Sequence, residues 1–323
     1  MQSFKIKIFK FFSFFKFIFL GFIFYAFSCL MLFLLVSNFN FIGGKWFNES
    51  LIKKIFCIEN LNPKIIILSG SNSHFGYSAE IITKNIQANV CNFAIHAGVG
   101  SNYIFYYTKK INLDKKIIIM PLEYELYNTN ISYSSLSLLH QILGHDMAYF
   151  NNLDILHKIN FLFNIAWLDR FRLFKQRFLN NNAVDNNLYN SNSINLWGDE
   201  SNYNLSSVFH INNLNKKIIY SHDDSFWLNF KEFVEFVRKN NGDVYLSYPN
   251  IYSNDFNPIL NLQFLKDLKM NAAQINVKIL GDYNNFIFDE SRLFDSKYHQ
   301  NSYGRSISSE ILSDLIVANK LNN

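Results

Sequence analysis

The chain has 323 residues and a formal net charge of +5, from 30 Lys+Arg against 25 Asp+Glu. Hydrophobic residues make up 49% and charged residues only 17%, which excludes a disordered chain and is enough for a substantial core. Four Pro and 12 Gly exclude a collagen-like or Pro-rich protein, three Cys exclude a disulfide scaffold, and the mild charge balance gives no argument for nucleic acid.

The N-terminus sets the compartment. Residues 1–16 carry Lys5, Lys7, Lys10 and Lys16 and no acid. Residues 17–36 follow without a charge, dominated by Phe, Leu and Ile. At ~1.5 Å per residue this stretch spans about 30 Å, the hydrocarbon thickness of a bilayer. It is too long for the apolar part of a signal peptide, and no small-x-small cleavage site follows it. We read a basic cytoplasmic segment over 1–16, a transmembrane helix over 17–37, a linker over 38–60 and an extracytoplasmic domain over 61–323. The Lys bias gives this orientation, as a single-pass protein of the cytoplasmic (inner) membrane. Cys57 and Cys91 then lie outside, where a disulfide is allowed; sequence alone does not bring them together.

The remainder alternates strands and helices. Residues 64–68 (Lys-Ile-Ile-Ile-Leu) form a short β-branched run, a buried strand ended by Ser69-Gly70. Residues 78–87 show helical spacing, 90–95 a second strand, 101–110 an aromatic helix, and 116–120 a third strand stopped by Pro121. This order implies parallel pairing with right-handed crossovers. Residues 132–179 break the rhythm with a continuous helical pattern, read as an insertion covering one sheet edge. Residues 180–206 are Asn- and Ser-rich, a long loop. Helices over 224–240, 259–272 and 304–320 and strands over 243–247 and 276–280 complete the domain.

In an open α/β sheet, sites form at the carboxyl ends of the strands. The first such end is Ser69-Gly70-Ser71-Asn72-Ser73, where a hydroxyl among small neighbours is exposed at the top of the sheet. The second supplies Gly98, whose bare N–H can approach a carbonyl oxygen closely. Near the C-terminus, Asp295 precedes His299 by four residues, so the acid can orient an imidazole that deprotonates a Ser. His96, near the second strand end, is a candidate substrate contact. His145-Asp146 and His222-Asp223-Asp224 lack a matching set of metal ligands, and nothing calls for a cofactor.

Ser early, with Asp and His late and close together, resembles the SGNH (GDSL-like) hydrolase and acyltransferase superfamily. There the nucleophile lies in Gly-Asp-Ser after the first strand, an oxyanion Gly follows the second, an Asn the third, and a late Asp-x-x-His closes the triad. Ser69-Gly70-Ser71 stands in the Gly-Asp-Ser place, Gly98 matches the oxyanion Gly, and His299-x-Asn301-x-x-Gly304 matches the run after the family's His. The resemblance covers about residues 60–130 and 275–320. It implies a three-layer flavodoxin-like α/β fold with a parallel sheet, carrying here a helical insertion over about 132–206 and an N-terminal transmembrane helix. With that span, the chain looks most like the cell-envelope branch of the superfamily.

Two departures stand out. Asp295 is one residue further from His299 than the family's pattern, which leaves Asp289 as a second candidate. After the third strand, Pro121-Leu122-Glu123-Tyr124 offers a carboxylate where the family has Asn. Either Asn72 or Asn102 supplies the missing donor, or activity is weakened.

The expected function is an acyl-ester hydrolase or O-acyltransferase, with O-acetyl as the group moved, acting on an envelope glycan. Ser71 is the expected nucleophile, His299 the base, Asp295 the orienting acid, and Gly98 and Asn72 the oxyanion contacts. A polytopic membrane acyltransferase is a possible partner. The rival expectation is an envelope assembly or glycan-binding factor that kept the fold and lost efficient catalysis. The topology is checked by a reporter fused after residue 45, expected to be active only outside the cytoplasm.

Overall fold

The computed structural model describes residues 14–28, 31, 45–94, 96–129, 138, 141–142, 145–158, 191–201 and 218–322. Five strands form one parallel sheet: β1 (Ile65–Ile67), β2 (Val90–Asn92), β3 (Ile117–Pro121), β4 (Asp243–Ser247) and β6 (Lys278–Leu280), in the order β2-β1-β3-β4-β6. β1 is three consecutive isoleucines, all fully buried. Such uniformly apolar, β-branched runs suit the centre of a parallel sheet covered on both faces. A separate parallel pair joins β5 (Ile251–Tyr252) to β7 (Ile287–Phe288), an element with too few residues to show a period in sequence.

The helices follow from capping and spacing. Helix α1 (Lys45–Leu61) precedes the sheet; α2 (Ser71–Gly76) and α3 (Ala79–Ile86) follow β1, and α4 (Gly100–Thr108) follows β2. α5 (Met147–Asn152) and α6 (Asp224–Lys239) lie between β3 and β4, α7 (Leu262–Gln274) before β6, and α8 (Ser302–Ala318) at the end. Asp223 caps α6 by accepting from Phe226 N at 2.6 Å, and Asn301 caps α8 by accepting from Gly304 N at 2.9 Å. Right-handed crossovers place α4, α6 and α7 on one face of the sheet and α3 on the other. The packing agrees. Phe105 of α4 stacks on Phe233 of α6 at 4.8 Å between ring centroids, while Ser309 of α8 accepts from Ser78 N, at the start of α3, at 2.8 Å.

The stretch read as a linker over 38–60 is corrected in part: residues 45–61 form α1. Its buried face runs through Phe47, Leu51, Lys54, Cys57 and Ile58, a helical spacing. Lys54, buried in that face, breaks the apolar pattern that would have shown the helix. α1 packs beside β2 and is joined to it by the Cys57–Cys91 disulfide, with Cα atoms 6.2 Å apart. The same edge is covered by residues 191–201. Asn92 N donates to Trp197 O at 2.9 Å, and Gly198, at φ +75°, lies so close to the Asn92 carbonyl that a Cβ has no room. Most of the expected insertion over 132–206 lies outside the described residues.

Residues 14–28 are helical. Among the described residues, no helix is long and apolar enough to cross a membrane, and residues 29–30 and 32–37 of the expected span lie outside them.

Replacing Cys57 and Cys91 together by Ala removes a link across 34 residues of sequence. On the chain-entropy account such a link contributes ~3–4 kcal/mol. Denaturant unfolding of the full chain under oxidising conditions should show a loss of that order, and the difference should vanish in reductant.

Candidate active site

β1 runs into α2 through a turn fixed by buried hydrogen bonds. Ser69 Oγ lies 2.7 Å from Pro121 O and 2.8 Å from Asn72 Oδ1, and Asn72 Nδ2 donates to Pro121 O at 2.7 Å. Both side chains are fully buried, so the contacts are shielded from competing water. They tie the end of β1 to the end of β3. Gly70 sits between them: a Cβ there would fall 2.6 Å from Ala97 Cβ and 2.7 Å from Glu123 Oε1. Its missing side chain lets three segments converge.

Ser71 opens α2. Its backbone N–H, first of the helix, has no intrahelical acceptor. Its hydroxyl donates to Glu123 Oε1 at 3.1 Å, and Asn72 N donates to the same oxygen at 2.8 Å. Glu123 stands two residues beyond β3 and is buried. Burial raises its pKa; Glu125 pushes the same way, and the Asn72 N–H, His299 and the Ser71 hydroxyl push against.

His299 arrives on a closed loop. Leu293 and Gln300 pair across its neck, Phe294 N donates to His299 O at 2.9 Å, and His299 N donates to Ser296 O at 3.3 Å. The loop folds Asp295 back onto His299, so that Nδ1 lies 2.6 Å from Asp295 Oδ1. A carboxylate at Nδ1 keeps the proton on that nitrogen and leaves the Nε2 lone pair available. The longer spacing is therefore accommodated by the turn. Asp289 instead caps the next turn, accepting from Ser291 N at 2.9 Å. The His299 ring packs on Phe75 at 4.5 Å between centroids. Phe75 is four residues from Ser71, hence on the same side of α2, so this contact brings His299 beside Ser71. The Ser71 hydroxyl nevertheless has Glu123, not the His299 ring, as its hydrogen-bond partner among the described residues.

The expected oxyanion contacts are engaged internally. Gly98 N donates to His96 Nδ1 at 2.9 Å, which leaves the proton of neutral His96 on Nε2. Burial, and then the nearby charge of His299, lower the His96 pKa. The expectation that the Asn72 side chain serves as a donor is corrected: its amide is committed to the β1–β3 junction. Asn102 Oδ1 accepts from Asn229 of α6 at 2.9 Å. Ser73, the neighbouring hydroxyl, is fully buried. Asp146 and Asp223 are helix caps, and among the described residues no group of three or more His, Cys, Asp or Glu is placed to hold a metal ion.

Behind α2 lies a buried charged cluster that sequence reasoning missed. Lys54 Nζ donates to Asn92 O at 2.8 Å and Gly198 O at 2.6 Å. Asp199 accepts from Ala79 N at 2.8 Å and Glu80 N at 3.0 Å, and Arg305 donates to Glu200 O at 2.6 Å and to Tyr77 O at 3.1 Å. His74 of α2 lies 3.7 Å from Glu200, too far for a hydrogen bond. Burial, with Lys54 nearby, lowers the His74 pKa to about 4. These residues are spread over four chain segments, so no local spacing announces them.

Compared with known proteins, the chain matches no family model, and no curated protein matches its sequence.

The His74 environment predicts an acid sensitivity. In the fold His74 stays neutral until about pH 4, whereas in the unfolded chain it takes a proton near pH 6.5. Between these values only the unfolded state gains the proton, so stability is fully present above pH 6.5 and falls as pH drops, by up to ~3 kcal/mol. His74→Gln should flatten that slope in unfolding curves recorded across the window.

Proposed function

We propose that the protein is an SGNH-like acyl-ester hydrolase or O-acyltransferase, held at the cytoplasmic membrane by residues 17–37. It would act outside the cytoplasm on an envelope glycan, with O-acetyl as the group moved. The observation that carries the reading is the Asp295–His299 pair at 2.6 Å, packed on Phe75 one turn along the helix that begins with Ser71. The strand order β2-β1-β3-β4-β6 supports a flavodoxin-like arrangement, whose ligand crevice lies where the order reverses, at β1 and β3. The Cys57–Cys91 disulfide supports an oxidising compartment.

In this mechanism the Ser71 hydroxyl rotates from Glu123 to His299. Ser71 Oγ attacks the ester carbonyl as His299 Nε2 takes its proton. The tetrahedral adduct collapses, the ester C–O bond breaks, and His299 returns the proton to the leaving alcohol. Water or a sugar hydroxyl then attacks the acyl-enzyme by the reverse sequence. Asp295 holds the imidazole, and the Ser71 N–H is one oxyanion donor. Gly98 becomes a second if His96 releases its N–H. The proposed chemistry uses side chains and backbone alone. A polytopic acyltransferase would be the partner that delivers the acyl group across the membrane.

A second reading has its own support. The Ser71 hydroxyl is bound to a carboxyl group and the Gly98 N–H is occupied, the pattern of a site retired from catalysis. On that reading the domain binds glycan or assembles envelope components.

A serine-directed phosphonate and a simple acetyl ester separate the two. Ser71→Ala and His299→Ala should each lose turnover by roughly 10⁴-fold or more, with the double variant hardly worse, because such residues act as a unit. Asp295→Asn should lose less than either. Wild-type protein that neither turns over ester nor takes up phosphonate would favour the assembly factor.

A further inference from the structure

Glu123 is the carboxyl group in direct contact with the proposed nucleophile, and its geometry is uneven. Oε1 is held by two donors, Ser71 Oγ and Asn72 N. Among the described residues, Oε2 has no hydrogen-bond partner, and no Lys or Arg pairs with the group. The residue is nonetheless buried. The titratable groups facing it are Glu125, from the next turn of chain, and His299, from the loop over α2. Glu125 is itself bound by Lys297 Nζ and by Tyr298 OH, each at 2.6 Å, so its counter-charge is spent locally.

Charge accounting decides what such a group can do during attack on an ester. As Ser71 Oγ bonds to the carbonyl carbon, the π pair moves to oxygen and the proton goes to His299. One anion and one cation appear, beside the carboxylate of Asp295. An ionised Glu123 would add a further anion a hydrogen bond away from Ser71, at a buried position. A neutral Glu123 would instead present an O–H on Oε2 while Oε1 stays anchored.

We infer that Glu123 works in its acid form, as a hydrogen-bond donor to the oxyanion formed when Ser71 attacks. The inference rests on the reading of Ser71 as nucleophile. Glu123 keeps its proton throughout; the proton that moves is that of Ser71, to His299 and then to the leaving alcohol. Buried carboxylic acids kept neutral so that they can donate are an established device for oxyanions. Two donors at Oε1 favour the carboxylate, but burial opposes it and is the larger influence. Ionisation of Glu123 at higher pH then removes the donor and adds the opposing charge.

The test compares Glu123→Gln with Glu123→Ala in the full chain in detergent, using acetyl-ester turnover across pH and phosphonate labelling. Glu123→Ala should lose ~10²–10³-fold, the usual effect of deleting one oxyanion donor. Glu123→Gln, which keeps the shape and a donor, should be at least ~10-fold more active than Glu123→Ala, and the alkaline decline of the wild type should disappear. Glu123→Gln as poor as Glu123→Ala would overturn the inference, since an ionised carboxylate would then be required; so would two variants as active as wild type. A second readout is independent of turnover. Infrared difference spectra between wild type and Glu123→Gln at neutral pH should contain the carbonyl band of a protonated carboxyl, shifted in D₂O, and its absence overturns the inference even in an inactive chain. Full turnover and labelling in Ser71→Ala would instead overturn the nucleophile, a failure of the reading beneath.

Discussion

The carbonyl of Pro121, the last of β3, takes hydrogen bonds from Ser69 and from Asn72, and the rest of the candidate site hangs on that junction. It joins the ends of the two strands between which the strand order reverses. Every group involved is buried, so breaking one contact would strand a polar atom away from water, which costs about 1–3 kcal/mol. The junction fixes where α2 begins and hence where Ser71 stands. It also fixes how far beyond β3 the chain has travelled when it reaches Glu123. Gly70 completes the arrangement by having no side chain to hold the segments apart.

Around this junction the site is assembled from unrelated pieces of chain. The β2 end contributes His96 and Gly98, bonded to each other. The β3 end contributes Glu123, and the loop before α8 contributes His299 with its acid. Behind α2, Lys54, Asp199 and Arg305 satisfy backbone carbonyls and N–H groups that would otherwise be buried unpaired. That cluster ties α1, residues 191–201, the start of α3 and α8 together, and so supports α2 from below. The charges there serve architecture, while above α2 the carboxyl group of Glu123 contacts the Ser71 hydroxyl.

What sequence made legible follows from range. Strand β4 lies over the residues expected from their pattern, Asp243–Ser247, and the isoleucine runs locate β1 and β3 to within a residue or two. Asp295 and His299 could be paired in advance because they share one turn. Glu123 was visible only as a departure from an expected Asn, since its contact with Ser71 spans 52 residues and depends on two strand ends meeting. Asn72 misleads for the same reason: the sequence offers it as a replacement for the Asn missing after the third strand, but its amide donates to Pro121 O, 49 residues away. α1 was hidden by its buried Lys54, a residue whose acceptors, Asn92 O and Gly198 O, lie far along the chain.

The closed loop that carries Asp295 and His299 has a mechanical meaning. Both members of the Asp295–His299 pair sit inside one turn, clasped at its neck by Leu293 and Gln300 and internally by Phe294 and His299. The imidazole and the carboxyl group it faces are therefore placed together. The same turn is pinned elsewhere as well: Lys297 Nζ and Tyr298 OH bind Glu125, and Tyr252 N donates to Lys297 O at 2.8 Å. The turn thus acts as a rivet, fastening the small β5–β7 sheet to the chain beyond β3.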